Sequence, residues 1–275
     1  MKQAGAILAV FATLGLVHIP GTIAQSQSSY FGFDRNEYPG DGNLKVLRQT
    51  FSYAGYWLNN PPGENSNSWA GKRPALESDG FGFLVLFNGR LDNQLRHNPA
   101  ALGKVDGRAA ATSAQREGFP ARTIIFLDIE EGGRMLPKQK AYIYAWVDAV
   151  NSSGFRAGVY SSGIPAREDK NTTIVTADDI RNNAQGRLIV YWVTNDVCPP
   201  SPGCAFPSQS PRPAESKIDF ADVWQFAQSP KRPDFAAKCH NYNLDGNCYP
   251  PGINPSSHLF VDMNSANSPD PSAGR

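Results

Sequence analysis

The stretch Thr123-Ile-Ile-Phe-Leu-Asp-Ile-Glu130 decides the fold. Its four consecutive apolar residues, Ile124 to Leu127, exceed what a half-exposed strand needs and indicate a strand covered on both faces. Helical patterns flank it. Upstream, Asp106 reads as an N-cap, followed by Gly107-Arg-Ala-Ala-Ala-Thr-Ser-Ala-Gln-Arg-Glu117 and a stop at Gly118. Downstream, Pro137 opens a helix that runs to about Ser153, with Gly154 as its C-cap. Ala141, Tyr142, Ala145, Trp146, Ala149 and Val150 recur along that helix at a spacing that buries one face against a sheet.

Further runs rich in β-formers lie on either side: Tyr30–Asp34, Ser52–Trp57, Phe81–Phe87, Arg156–Tyr160, Leu188–Val193, Asp222–Phe226 and Leu259–Asn264. With 123–130 they make eight strands. Asn43–Gln49 and Thr176–Ala184 supply further helices between them. Alternating strands and helices predict an α/β fold of parallel strands joined by right-handed crossovers. Past Val193 the helical pattern disappears, and Cys198–Pro213 and Pro230–Pro255 read as long loops. The expected architecture is therefore a TIM-like (β/α) barrel, (βα)5β3, whose last strands lack helices. An open doubly wound sheet is the alternative, but no G-x-G-x-x-G or G-x-x-x-x-G-K-[ST] phosphate cradle follows a strand.

Residues 1–24 read as a signal peptide: Lys2, an apolar run Ala4–Val17, then Pro20-Gly21 and the small-residue site Thr22-Ile23-Ala24. Residues 25–264 form one barrel domain, and the Ser/Pro/Ala-rich 265–275 is expected to be a flexible tail. Without its first 24 residues the chain carries 25 Lys+Arg against 25 Asp+Glu. That balance argues against a nucleic-acid binder, which needs a cationic excess. No other segment is apolar enough to cross a membrane, so an exported, secreted or periplasmic monomer is expected. Export makes disulfides the expected state of Cys198, Cys204, Cys239 and Cys248. Of the three possible pairings, the local one, Cys198–Cys204 with Cys239–Cys248, closes two Pro/Gly-rich loops and is the one expected. His97, His240 and His258 are scattered and no C-x-x-C occurs, so no metal site and no cofactor are expected.

In a (β/α) barrel the C-terminal strand ends line the active site. Three of the strands place acids there: Asp34 on the first, Asp128 and Glu130 on the fourth, Asp262 on the eighth. Side chains alternate, so Asp128 and Glu130 share a face with their backbones roughly 6.6 Å apart. Their carboxyls then fall within about 5–7 Å, the range of glycoside-cleaving acid pairs. Crowded and buried, one of them keeps its proton near neutral pH and serves as a general acid. Their competing role is structural, as caps or as ion-pair partners of Arg35 and Arg134. Glu131 alternates away from the site. Aromatic residues near strand ends suit the apolar faces of pyranose rings; Tyr56, Tyr160 and Trp224 are expected to face the cleft, with Gln225 and Asn264 as hydroxyl or amide partners.

Phe33-Asp34, Leu127-Asp128-Ile-Glu130, Trp224-Gln225 and Val261-Asp262-Met-Asn264, in that order, resemble the glycoside hydrolase family 25 lysozymes. Tyr53-Ala-Gly-Tyr56-Trp57-Leu58, Trp69 and the Gly80–Phe87 strand look like a secreted bacterial family described as glycoside hydrolase-like. The resemblance runs from Phe31 to Asn264. It implies five βα units followed by bare strands, a polysaccharide substrate such as peptidoglycan, and carboxylate general acid catalysis. Glu130 matches the general acid, and Asp128 the carboxylate that orients a substrate acetamido group or stabilises an oxocarbenium-like transition state. Asp34 and Asp262 match acids lining the same cleft. The Cys-bearing loops depart from the lysozyme pattern and are expected to reshape or cover the cleft. A non-catalytic carbohydrate-binding or cell-envelope barrel is the alternative function. A two-metal nuclease or phosphatase ranks below both, for want of a basic groove or ligand histidines.

Overall fold

The computed structural model describes Met1, residues 28–235 and residues 237–275. The signal-peptide segment 1–24 therefore lies, apart from Met1, outside the described residues. Eight strands close into a barrel: β1 (Tyr30–Asp34), β2 (Tyr53–Trp57), β3 (Gly82–Asn88), β4 (Ile124–Asp128), β5 (Arg156–Ser162), β6 (Val190–Thr194), β7 (Val223–Ala227) and β8 (Asp262–Ala266). Each of the first five is followed by a helix: α1 (Leu44–Arg48), α2 (Arg73–Ser78), α3 (Pro99–Arg116), α4 (Pro137–Ser152) and α5 (Thr176–Asn182). The (βα)5β3 layout expected of the sequence is the one observed. Among the described residues no helix is long and apolar enough to cross a membrane.

Three details of the strands and helices differ from the sequence reading. Strand β8 runs antiparallel to both neighbours, pairing Asp34 with Asp262. Asp262 thus begins its strand rather than ending it, and reaches the C-terminal rim because β8 is reversed. Helix α3 starts at Pro99, so Asp106 is no N-cap. It sits in mid-helix, where Arg90 donates to it at 2.6 and 2.9 Å and Tyr142 at 2.9 Å. Helix α2 was not apparent in the sequence, being a single short stretch of 6 residues with one buried apolar position, Leu76.

The barrel interior is closed by inward-facing residues matched in size. A Cβ on Gly32 would lie 2.0 Å from the Tyr53 ring, and one on Gly55 would lie 2.6 Å from Cβ of Asp34. Glycine at these two places lets Tyr53 fill the lower barrel and leaves Asp34 its place at the rim. Outside, Tyr142, Trp146 and Val150 of α4 are buried, as the helical stripe requires.

Residues 265–275 are not a free tail. Ser265 and Ala266 complete β8, and the rest folds under the barrel between the lower ends of β3 and β4. There Asp270 Oδ1 accepts from the Phe83 amide, Ser272 Oγ from the Val85 amide and the Ser272 carbonyl from the Ile124 amide, each at 2.8 Å. Strand amides on a barrel floor need partners, and a Ser/Asp-rich segment supplies them; composition alone read the same residues as mobile. Ser272 is fully buried. Ser272→Ala is expected to strand the Val85 amide and lower unfolding free energy by about 1–3 kcal/mol, measured by urea denaturation; a loss below 0.5 kcal/mol, the scatter of ordinary surface changes, would remove the segment's structural role.

Candidate active site

The upper end of the barrel holds a small hollow of about 60 Å3. Asp34, Asp128, Glu130 and Asp262 all line it, with Tyr160, Trp57, Trp192, Gln225 and Gln228 among the other walls. Residues far apart in the chain meet here because strand ends converge on one rim. Asp128 is the last residue of β4 and is buried. Glu130 lies two residues past that strand; the Ile129 amide still donates to the Tyr160 carbonyl at 3.2 Å, so strand alternation persists and returns Glu130 to the same side. As a residue Glu130 is exposed but its carboxyl is desolvated in the hollow, while Asp34 and Asp128 are buried.

The acids are tied together by amides. Asn264 Nδ2 donates to Asp34 Oδ1 at 2.6 Å, and Gln225 Nε2 donates to Asp34 Oδ1 at 3.2 Å and to Asp262 Oδ2 at 3.3 Å. Gln225 Oε1 in turn accepts from Tyr160 Oη at 2.7 Å and from Gln228 Nε2 at 3.2 Å. Trp192 Nε1 donates to Asn264 Oδ1 at 3.0 Å, which fixes that amide with its NH2 towards Asp34. The Ser229 amide holds Asp262 Oδ1 at 2.6 Å. Every donor in the set is neutral.

With no cation inside the hollow, burial dominates the acidities. It raises Asp34 to about 6 against the bonds from Asn264 and Gln225, with the Glu130 charge adding to the rise. Asp128 is raised well above the usual carboxylate range, first by burial and then by the charges of Glu130 and Asp34. Burial raises Glu130, and burial with the Asp34 charge raises Asp262 well above its ordinary value. Asp128 and Glu130 share a hydrogen bond, so they stand closer than the 5–7 Å spacing expected from the sequence (about the separation of a glycosidase pair). That bond adds to the rise at Asp128 and works against the rise at Glu130. Arg134 instead pairs with Glu168 at 2.9 Å and Arg35 with Glu37 at 3.4 Å, so neither arginine forms an ion pair with the four acids, although the Asp262 charge is felt at Arg35. Glu131 points away and accepts from Gln139 and the Asp92 amide.

Of the aromatics, Tyr160 faces the hollow and Tyr56 and Trp224 do not. Tyr56 packs outside the barrel on Trp69, Phe83 and Phe119 and donates to Glu117. Trp224 is fully buried on the outer face, donating to the Asn195 carbonyl at 2.9 Å. Their neighbours Trp57 and Trp192 take the inward places. The parity follows from pairing: Trp192 is level with Tyr160, which is level with Asp128. Alternation from Gly55, whose missing side chain accommodates Asp34, assigns Trp57 inward as well. Asn264 is buried beneath Asp34 and serves as its support.

The Cys-bearing segments form a wall beside the hollow and supply Gln228 to it. Their disulfides are Cys198–Cys239 and Cys204–Cys248, with Cα separations of 5.2 and 5.4 Å, correcting the local pairing expected above. The two long loops lie against each other, so each cysteine meets one from the other loop. Asp196 reinforces the contact by accepting from Arg232 Nε at 2.9 Å. Among the described residues no group of His, Cys, Asp or Glu is arranged to hold a metal ion.

An eight-stranded α/β barrel whose C-terminal rim gathers four carboxyl groups is a glycoside hydrolase-like barrel in kind. The chain belongs to the Rv2525c-like, glycoside hydrolase-like domain family, which its residues 52–205 match. The fold is similar to that of an uncharacterized protein from B. stearothermophilus, 21% identical over 86% of this chain and 95% of that one, with a TM-score of 0.56. It is also similar to the Tat-secreted protein Rv2525c of Mycobacterium tuberculosis, at 14% identity over 89% of this chain and 97% of that one and a TM-score of 0.53. The spore cortex lytic enzyme SleM of Clostridium perfringens matches at 14% identity over 87% of this chain and 68% of that one, with a TM-score of 0.51. No curated protein matches the chain.

Proposed function

We propose that the protein is an exported glycoside hydrolase that cleaves a polysaccharide, peptidoglycan being the first to test. One observation carries the reading: Glu130, an exposed residue, and the buried Asp128 line one hollow together with Asp34 and Asp262 and no cationic residue. Glu130 then reaches the glycosidic oxygen and protonates it as the bond breaks. Asp128, or the substrate's own amide carbonyl, stabilises the positive charge that develops at the anomeric carbon. Gln225 positions Asp34 and Asp262, and Asn264 positions Asp34, through the hydrogen bonds their amides donate. The two disulfides suit an oxidising compartment, which supports export, and the SleM likeness supports a cell-wall glycan.

A screen for reducing ends released from peptidoglycan and common polysaccharides tests this directly. Saccharide binding without release would favour a non-catalytic binding barrel instead.

A further inference from the structure

The acid hollow is too small to recognise a sugar alone. Its volume of about 60 Å3 corresponds to about two waters, whereas sites for small ligands run to about 300–1,000 Å3. Beside it lies a groove of about 390 Å3, and the two spaces share Asn36 and Asp262. The two spaces adjoin at these residues, the smaller at the acids and the larger on the far side of Asp262. We infer that this groove is a second subsite, binding the unit of the glycan next to the scissile bond and taking an uncharged, hydroxyl-rich ring. The inference rests on the hydrolase reading above and names the ring-binding part of that site.

The groove offers an aromatic surface with donors and acceptors around it. Arg35, next to Asp34 but turned out of the barrel, lays its guanidinium over half-buried Phe260, 5.8 Å from the ring centroid. Its single ion pair is with Glu37 at 3.4 Å, and Glu37 is 70% exposed. The Arg35 side chain itself is only 13% exposed, but the contact is long and its partner open to water, so the guanidinium can be shared with a hydroxyl. Glu37 and Glu64 are open to solvent on the same walls, with His258 beside them. A sugar ring presents an apolar C–H face and both donor and acceptor hydroxyls, which this mixture meets. A uronate does not fit as well. Glu37, Glu64 and Asp262 outnumber the one permanent cation, and like charges brought together cost affinity. His258, Phe260 and Ser229 all belong to the segment between β7 and β8 that carries Cys239 and Cys248, so the disulfide-tied loops build this wall.

Calorimetric titration of the full chain carrying Glu130→Gln tests the proposal, with N-acetylglucosamine oligomers of two and four units, soluble peptidoglycan strands, and oligogalacturonates of matching length. The four-unit neutral oligomer is expected to bind about tenfold tighter than the two-unit one, with Phe260→Ala erasing that gain. Glu64→Gln, an exposed change that leaves the fold alone, is expected to cost about threefold for the longer oligomer only. A length gain that survives Phe260→Ala, equal or tighter binding of the oligogalacturonates, or no binding of any neutral glycan would overturn it. The two readings separate in the otherwise wild-type chain. Hydrolysis with KM unmoved by Phe260→Ala and Glu64→Gln removes the groove alone. Phe260-dependent binding with no released reducing ends removes the hydrolase and leaves the groove.

Discussion

A chain carrying Glu130→Gln is expected to fold like the wild type and to release reducing ends about 10²–10⁴-fold more slowly, the usual range for loss of a general acid. The change is nearly isosteric and falls on an exposed residue, so the core is untouched. The amide can still hydrogen-bond to Asp128, which keeps the hollow in shape while removing the proton the leaving oxygen needs. The pH profile adds a second signature. Burial raises Glu130 and Asp128, so wild-type turnover should fall as pH rises through the elevated pKa of the pair, and the residual rate of the variant should lack that limb. Unchanged turnover by Glu130→Gln on the true substrate, at any pH, would exclude the assignment.

Asp128→Asn is expected to stabilise the protein at pH 7 while impairing catalysis. Asp128 is 4% exposed, its Oδ1 has no hydrogen-bond partner, and Glu130 and Asp34 crowd it. Its pKa is raised in the folded state, so the folded state binds the proton more tightly than the unfolded chain. The Asp128 contribution to wild-type stability is then greatest at low pH and falls as pH climbs from the ordinary carboxylate value, 3.8, towards the elevated one. The amide does not titrate. The variant should therefore match the wild type near pH 3 and gain on it progressively above pH 4 (about the unfolded pKa). Each unit of raised pKa passed is worth about 1.4 kcal/mol. A chain of this size converts 1 kcal/mol into about 2–4 °C of melting temperature, so thermal unfolding followed against pH should show at least that rise at pH 7. A variant less stable than wild type at pH 7 would mean that the carboxylate is held by favourable contacts, contrary to the cation-free hollow described above. Sites that store such strain trade stability for activity, and a hollow lined by four acids and no cation is one.

Much of this was visible in the order of residues. The apolar run Ile124–Leu127, the Pro137–Ser152 stripe and the turn residues between them determine strand and helix through local periodicity, and periodicity is a property of neighbours in the chain. The same alternation placed Asp128 and Glu130 on one side. It failed at Tyr56 and Trp224 because a strand covered on both faces is apolar at every position, so no contrast marks which parity looks inward. Register with the next strand decides that, and register is a long-range pairing. Gly55 was a usable clue: a side chain there would collide with Asp34, so its face is inward and Trp57 shares it.

Sequence by itself therefore determined the eight strands, four of the five helices and the acids carried to the barrel rim, since each follows from the spacing of adjacent residues and the chemistry of turns. Only the closed barrel decided that β8 runs backwards and brings Asp262 level with Asp34, that the cysteines pair across two loops, and that residues 267–275 cap the floor. Those outcomes depend on which backbone and side-chain groups are left without partners once distant segments have packed, and no stretch of chain contains that information alone.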